Sequence, residues 1–522
     1  MNGLLIDRRV VLGGESTGRG IVGGVRSRLE WAGMAATGVW VVPLVLGGVA
    51  TWGRIAAAGA VLVAAFVFWT PFEGPLRGRS AAAWTAHAAR FEWNRRRGGA
   101  VFVPAYAQRE AVPATSGEQP AVSRAKKPAG VFDVPVVVGN ARVIGTVQVA
   151  GGALAVVRHS NPGRTHFLTA ALEMRGEPTG QERDHDFGRA YEGWGAFCAT
   201  LAGDASFVRG LQQVSRVVPY DTADHSMWVG RHVPPGTSAL LTDSYVELLD
   251  TAAAMTEQHR TWLVLRLPVT PRFALEARRL GAGAQGELAL ARREVVAAMH
   301  RAAGYGIDLR PLDEARLGAV LRSLQDPDHP IDMVAGMDWA RGWLAWDARD
   351  RRDLVVTGTE RSWHTRTAVI TARQVQAGHL APNFLSPLVS GVSPSVVRTL
   401  SVMIDLVPAH AARAKAKSDV TLDIGRAREA ARQVSDGSAE QQLTASQQRL
   451  ADLRVGTGYH GANWSMTVTL CTADLEELDA ATRQIEAAAE ASHITGLRWL
   501  DGWQEAGLAA GLPLARGMAV RR

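Results

Sequence analysis

The sequence predicts an α+β protein in which an N-terminal transmembrane helical hairpin is followed by a cytosolic body: a small β element and two duplicated α+β halves. Three observations predict it. Two long uncharged runs stand near the N-terminus, and strand-like and helix-like patterns recur twice in the same order. In addition, "FVRGLQQVSRVVP" (Phe207–Pro219) matches "VVRTLSVMIDLVP" (Val396–Pro408) at 5 of 13 positions. The expected organisation is a cytosolic arm over 1–30, the hairpin over 31–72, and a basic juxtamembrane helix and linker over 73–130. The β element then covers 131–180, and the two halves cover 181–330 and 331–522.

The chain has 522 residues, of which 47% are hydrophobic, enough for several structural units with cores of their own. Its two cysteines, Cys198 and Cys471, supply neither a disulfide framework nor a four-ligand zinc site, which points to a reducing compartment. Of 57 basic and 50 acidic residues, the first 100 positions hold 12 and 5, so residues 101–522 carry 45 of each. The excess of +7 therefore belongs to the N-terminal fifth. That argues against a nucleic-acid-binding surface on the body.

Trp31–Gly53 is a run of 23 residues without a charge, about 35 Å as helix against a hydrocarbon core of about 30 Å. After Arg54 come 18 more, Ile55–Phe72, about 27 Å at the same rise. Pro43 and the Gly47-Gly48 pair are tolerated in membrane helices. Arg8, Arg9, Arg19, Arg26 and Arg28 precede the first run and Arg77, Arg79, Arg90 and Arg95–Arg97 follow the second, with only Arg54 at the tip. The expected location is the cell's inner membrane, multi-pass with both termini cytoplasmic. Trp31, Trp52, Arg54 and Trp69 are the expected membrane-anchoring residues, and lipids an expected partner. Beyond them, Trp84, Ala88 and Phe91 share one helical face beside Arg95–Arg97, as in a membrane-surface helix, and 105–130 reads as a tether.

In the body, residues 135–174 read as short strands joined by Gly-Asn, Gly-Gly and Asn-Pro-Gly turns. An amphipathic helix follows around "DFGRAYEGWGAFCATLA", with Tyr191, Trp194 and Cys198 on one face. The first repeat strand then leads through the helix "SALLTDSYVELLDTAAAM" to a strand over Thr261–Thr270 and a helix over Glu287–Ala303. The second leads through a helix over 409–434 to a strand over Asn463–Thr472, where Met466, Val468 and Leu470 point inward. A helix opens there at Thr472 or Ala473, with acids in its first turn. Both second strands carry Trp at position two, Trp262 and Trp464. The halves read as ferredoxin-like, each a half-sheet covered by helices, with a hairpin over "RDLVVTGTERSWHTRTAVIT" between them.

No motif for chemistry has its required surroundings. "GESTG" (Gly14–Gly18) lacks the strand and helix of a nucleophile elbow. "GRGIVG" (Gly18–Gly23) and "GAGAQG" (Gly281–Gly286) lack a parallel βαβ unit and its acidic partner. The histidines form no metal-ligand spacing, and no Gly-x-x-x-x-Gly-Lys-Ser/Thr loop exists to cradle phosphates. The expectation is a protein that is not an enzyme, with no catalytic, metal or cofactor-binding residues. The polar "RDHD" cluster (Arg183–Asp186) is the one feature that speaks for an unrecognised enzyme site.

The ending "LRWLDGWQEAGLAAGLPLARG" resembles the close of the non-catalytic N-terminal domain of the conjugative ATPases of type IV secretion, the TrbE/CagE/TraC family. The likeness rests on Gln504, Ala506, Leu508, Leu512, Pro513, Leu514 and Gly517. Over most of residues 20–517 the chain is also similar to an actinobacterial family of conjugative-element membrane proteins, through "YEGWGAF", "DSYVELL" and "FLSPLV". The resemblance implies a non-catalytic inner-membrane scaffold of a DNA-transfer machine, docking a separate secretion ATPase and polytopic membrane subunits, and a homo-oligomer within the larger complex. Gln504, Leu512, Pro513 and Leu514 are the interaction residues it suggests, at the point where the family's motor domain would begin. A type VII secretion subunit is the alternative of the same general kind.

Overall fold

The computed structural model describes residues 10–12, 32–39, 52–72, 79–110, 132–160, 165–175, 184–220, 223–234, 236–331, 335–372, 374–376, 378–381, 383–432 and 437–517. They divide into two compact units, Glu15–Ala100 and a larger one formed by Met1–Gly14 with Val101–Arg522.

The smaller unit contains helix α1 (residues 32–39), α2 (Trp52–Trp69), the strand pair β2 (Pro71–Phe72) and β3 (Arg79–Ser80), and α3 (Ala81–Arg96). Ser80 caps α3, its hydroxyl accepting from the Ala83 amide at 3.1 Å. These elements overturn the membrane hairpin. No helix among the described residues is long and apolar enough to cross a membrane. The sequence criterion counted uncharged residues, whereas spanning requires helical ones. Residues 40–51 of the first run lie outside the described residues, and helix α2, with 18 residues, ends before strand β2. A multi-pass inner-membrane location falls with the hairpin. Trp31 lies outside the described residues, as do the side chains of Trp52 and Arg54. Trp69 is half-buried and packs on Gly33, where an added Cβ would come within 2.4 Å of its ring.

The larger unit is organised by one antiparallel sheet of 13 strands. The strand β1 (Val10–Leu12) lies outside it, paired with β14 (Gly378–Leu380). In chain order the sheet takes β4 (Val101–Phe102), β5 (Asn140–Val149), β6 (Gly152–Ser160), β7 (Phe167–Arg175), β8 (Gly210–Pro219), β9 (Glu257–Pro268) and β10 (Asp308–Pro311). It continues with β11 (Trp346–Asp347), β12 (Leu354–Thr357), β13 (Ser362–Thr371), β15 (Val397–Val407), β16 (Gly461–Thr472) and β17 (Arg498–Trp499). Its order is β4-β11-β12-β13-β16-β15-β8-β9-β7-β6-β5, with β10 paired to β7 and β17 to β13. The expected pair of half-sheets beside a separate β element is thus corrected: strands of all three regions are hydrogen-bonded into one sheet.

The order is palindromic about β8 and β15. Aligning Phe207–Pro219 on Val396–Pro408 makes Gly210 equivalent to Thr399 and Arg216 to Asp405. In the ladder Gly210 pairs with Asp405 and Thr399 with Arg216, and Gln213 faces its own equivalent, Val402. A local two-fold axis therefore passes through the Gln213–Val402 pair. The same symmetry corrects the tryptophan match. Gly210 pairs with Arg266 and its equivalent Thr399 with Thr469, so Trp464 corresponds to Thr261 and not to Trp262. One residue of offset turns the two rings to opposite faces.

One face is covered by helices. Over the first half, Leu263, Leu265 and Leu267 pack with Phe197 and Leu201 of α5 (Asp184–Ala202) and with Leu290, Val295 and Ala298 of α9 (Gly283–Gly304). Over the second, Met466, Val468 and Leu470 pack with Leu478, Ala481 and Ile485 of α14 (Leu475–Ala491), capped by Asp474. The other face is polar yet also buried: Gln212, Arg216, Thr365, Thr367, Thr399, Ser401, Thr467 and Thr469. It lies under α15 (Gln504–Gly511) and the chain beyond. Three elements fill the rest. Helix α4 (Ala105–Glu110) follows β4, α8 (Pro271–Leu280) follows β9, and α11 (Ser386–Ser390) packs on α14.

Candidate interaction surfaces

The four C-terminal interaction residues are inside the protein. Gln504 is 2% exposed, and its side-chain oxygen accepts from the Thr367 amide of β13 at 2.8 Å. Leu512 and Leu514 are buried, and Pro513 between them is buried too. Gln212, on the two-fold strand β8, holds the segment. Its Nε2 donates to Ser401 Oγ at 2.9 Å and to the carbonyls of Ala510 and Leu512 at 3.0 and 2.8 Å, while its Oε1 accepts from the Ala515 amide at 2.6 Å. The two N–H of the amide are shared among three acceptors and its oxygen takes one donor, so neither end is left unpaired in the interior. These residues close the sheet's polar face and present nothing to a partner.

The same segment has a counterpart that sequence reading missed. "LRPLD" (Leu309–Asp313) and "LRWLD" (Leu497–Asp501) share Leu, Arg, Leu and Asp. Each contains an edge strand, β10 or β17, and each runs on into a helix, α10 (Glu314–Gln325) or α15. The turn after α10 delivers Asp326 to the polar face, where its carboxylate accepts from the Trp363 indole at 3.1 Å and from Thr359. The signal was a short repeat about 188 residues apart, weaker than the strand repeat and split by unlike residues.

His159 is stacked on Phe167, accepts at Nδ1 from Arg516 Nε at 3.2 Å and lies 2.9 Å from Thr169 Oγ1 through Nε2. The proton is therefore on Nε2. Burial, with Arg516 and Arg266 nearby, holds its pKa well below the usual histidine value. Arg398, fully buried, pairs with Glu257 at 2.7 Å across the two halves. Burial pushes both thiols, Cys198 and Cys471, up to about 12, which leaves them unreactive. "GAGAQG" forms the turn between α8 and α9, two helices, so the strand a dinucleotide site requires is missing there. The side chains of Arg183–Asp186, and the Gly14–Gly23 motifs, lie outside the described residues. Among the described residues no group of three or more His, Cys, Asp or Glu could hold a metal ion.

Several of the body's exposed large apolar side chains are carried by two helical excursions. Between β8 and β9 stand α6 (Ala223–His232) and α7 (Ala239–Met255); between β15 and β16 stand α12 (Ala409–Ala430) and α13 (Ser438–Asp452). They occupy equivalent places in the repeat but differ in character. The second pair packs on itself, through Ala412, Ala416 and Leu453 and through Arg449 on Asp419 at 2.6 Å. In the first, His225 meets Tyr245 at 2.8 Å and Trp228 stacks on His232, yet large side chains remain in solvent. Trp228 is 56% exposed, Leu240 77%, Leu241 64%, Leu248 60% and Met255 77%. Contiguous apolar exposure of this kind marks a binding surface. Leu241, Tyr245, Leu248, Ala252 and Met255 recur at spacings of four and three, the seam pattern of a helix that packs on other helices.

Fold and surface together define a class: a long antiparallel sheet closed on both faces, with a helical pair between two of its strands that exposes several large apolar side chains. No protein-family model matches the chain, and no curated protein matches it.

Proposed function

We propose that the chain is a non-catalytic scaffold subunit of a conjugative, type IV-like secretion machine for DNA transfer, docking a separate ATPase through its folded body. The observation that supports this reading is the α6–α7 pair, which holds Trp228, Leu240, Leu241, Leu248 and Met255 in solvent. A surface of that composition gains by burial against another protein. The sequence agrees with the division of labour, since it lacks a phosphate-binding loop. Affinity purification of the full chain, co-expressed with the genes beside it, tests the reading. Recovery of a P-loop ATPase is expected, with loss of that ATPase in a Leu241→Asp, Leu248→Asp variant. Purification of the chain without an ATPase, when one is co-expressed, refutes it.

A further inference from the structure

We propose that α7 of one copy of this chain seats in the groove between α12 and α13 of a second copy. The inference rests on the reading of α6–α7 as a docking surface and names the partner of that surface. Helix α7 presents an aliphatic ridge, Leu240, Leu241, Leu248 and Met255, flanked by Asp243, Glu247 and Asp250 at i, i+4 and i+7. The three acids are exposed, and no Lys or Arg occurs between Ala239 and Met255. The groove has the complementary chemistry. It encloses 710 Å³ and is lined by Arg413, Lys417 and Arg454, by Leu450, Ala451 and Val455, and by three polar residues, with no carboxylate in the lining. Val455 is 84% exposed. A nearby acid, Asp452, accepts from Gln448 at 2.8 Å. The body as a whole carries equal numbers of acidic and basic residues, so acid on α7 and base in the groove lining is a local segregation and not a reflection of net charge.

Symmetry makes the contact intermolecular. The excursions leave the sheet at the C-terminal ends of β8 and β15, which are antiparallel neighbours, and therefore at opposite ends of the sheet. Strand β15 has 11 residues, about 36 Å of separation. No residue of α7 lines the groove of its own chain. Ridge and groove are unlike surfaces, so the contact joins copies head to tail. Opposite charge sets the register, and aliphatic burial supplies the affinity.

Light scattering after size exclusion, on the full chain alone, is the test. The expected result is a mass of two or more copies that falls as salt is raised. Two charge-reversed variants, Asp243→Lys/Glu247→Lys/Asp250→Lys and Arg413→Glu/Lys417→Glu/Arg454→Glu, should each run as a single copy with unchanged circular dichroism. Mixing the two should restore the larger mass. Where either reversal loses its circular dichroism, the neutral variants with Asn and Gln at the same positions replace it. A single-copy mass for the wild-type chain overturns the proposal, as does a reversed variant that keeps the wild-type mass or a mixture that stays apart. A chain that is single-copy yet captures an ATPase through α7 removes the self-contact and leaves the docking reading. A chain that assembles yet captures no ATPase does the reverse.

Discussion

Gln212 illustrates how much of this protein rests on single polar side chains under the C-terminal segment. It joins Ser401, Ala510, Leu512 and Ala515 from full burial. Replacement by Leu fills similar space but strands the Ala515 amide, at about 1–3 kcal/mol for a buried donor left without a partner, while the Ala510 carbonyl keeps Ser401 Oγ at 3.0 Å and the Leu512 carbonyl keeps the Leu514 amide at 2.7 Å. Gln212→Leu should lower the urea midpoint and speed proteolytic removal of residues after Gln504; an unchanged midpoint would count against this network. His159 carries the pH dependence. Its folded pKa is depressed by burial first and by Arg516 and Arg266 next, so the folded protein refuses a proton that the unfolded chain accepts below about pH 6.5. The stability it contributes is complete above that pH and is lost as pH falls, by up to about 1.4 kcal/mol for each pH unit. Denaturation at pH 7.5 and 5.5 should show a smaller difference for His159→Gln than for the wild type. Neither residue stood out in the sequence, because nothing local says that an alternating strand's polar side will be covered.

At the scale of elements, local pattern was a good guide to type and a poor one to ends and partners. The strand read at Thr261–Thr270 runs over Glu257–Pro268, and the helix read over Glu287–Ala303 extends back to Gly283. Alternation and the 3.6-residue period are properties of the segment itself, whereas ends are set by caps such as Asp474 and by neighbours. Helix α15 was the harder case. Its first residue, Gln504, was read as an interaction residue, and the helix lies against β13 so closely that a Cβ on Gly507 would sit 2.6 Å from Thr367 Cβ. Gly507→Val should therefore destabilise by about 1–3 kcal/mol through overpacking, measured as a lower thermal midpoint, and Gly425→Ala, where the added Cβ meets nothing within 4 Å, serves as the control. Equal midpoints for the two variants would show that α15 is not held there. The apolar run of the N-terminus failed for a related reason. Absence of charge permits a membrane helix but does not make one, and no helix among the described residues is long and apolar enough to cross.

For the whole molecule, the continuous ladder across β8 and β15 predicts that the halves unfold together. Each would otherwise expose a long edge strand, with its unpaired amides and carbonyls, at the site of its partner. Probes in the first half and the second should report coincident urea transitions, and a chain ending at Ile331 should aggregate when expressed alone. Two separated transitions would show that the seam is weak. The sequence by itself determined the strand and helix segments, the duplication around Val208-Arg209 and Val397-Arg398, and the even charge of the body. Only the tertiary structure decided that two repeats share one sheet about the Gln213–Val402 pair, since hydrogen-bonding partners across hundreds of residues leave no local mark. It also decided that Thr367, Thr469 and Gln212 are buried while Leu240 and Leu248 are exposed. Periodicity says which side chains share a face; what covers that face depends on where distant segments come to rest.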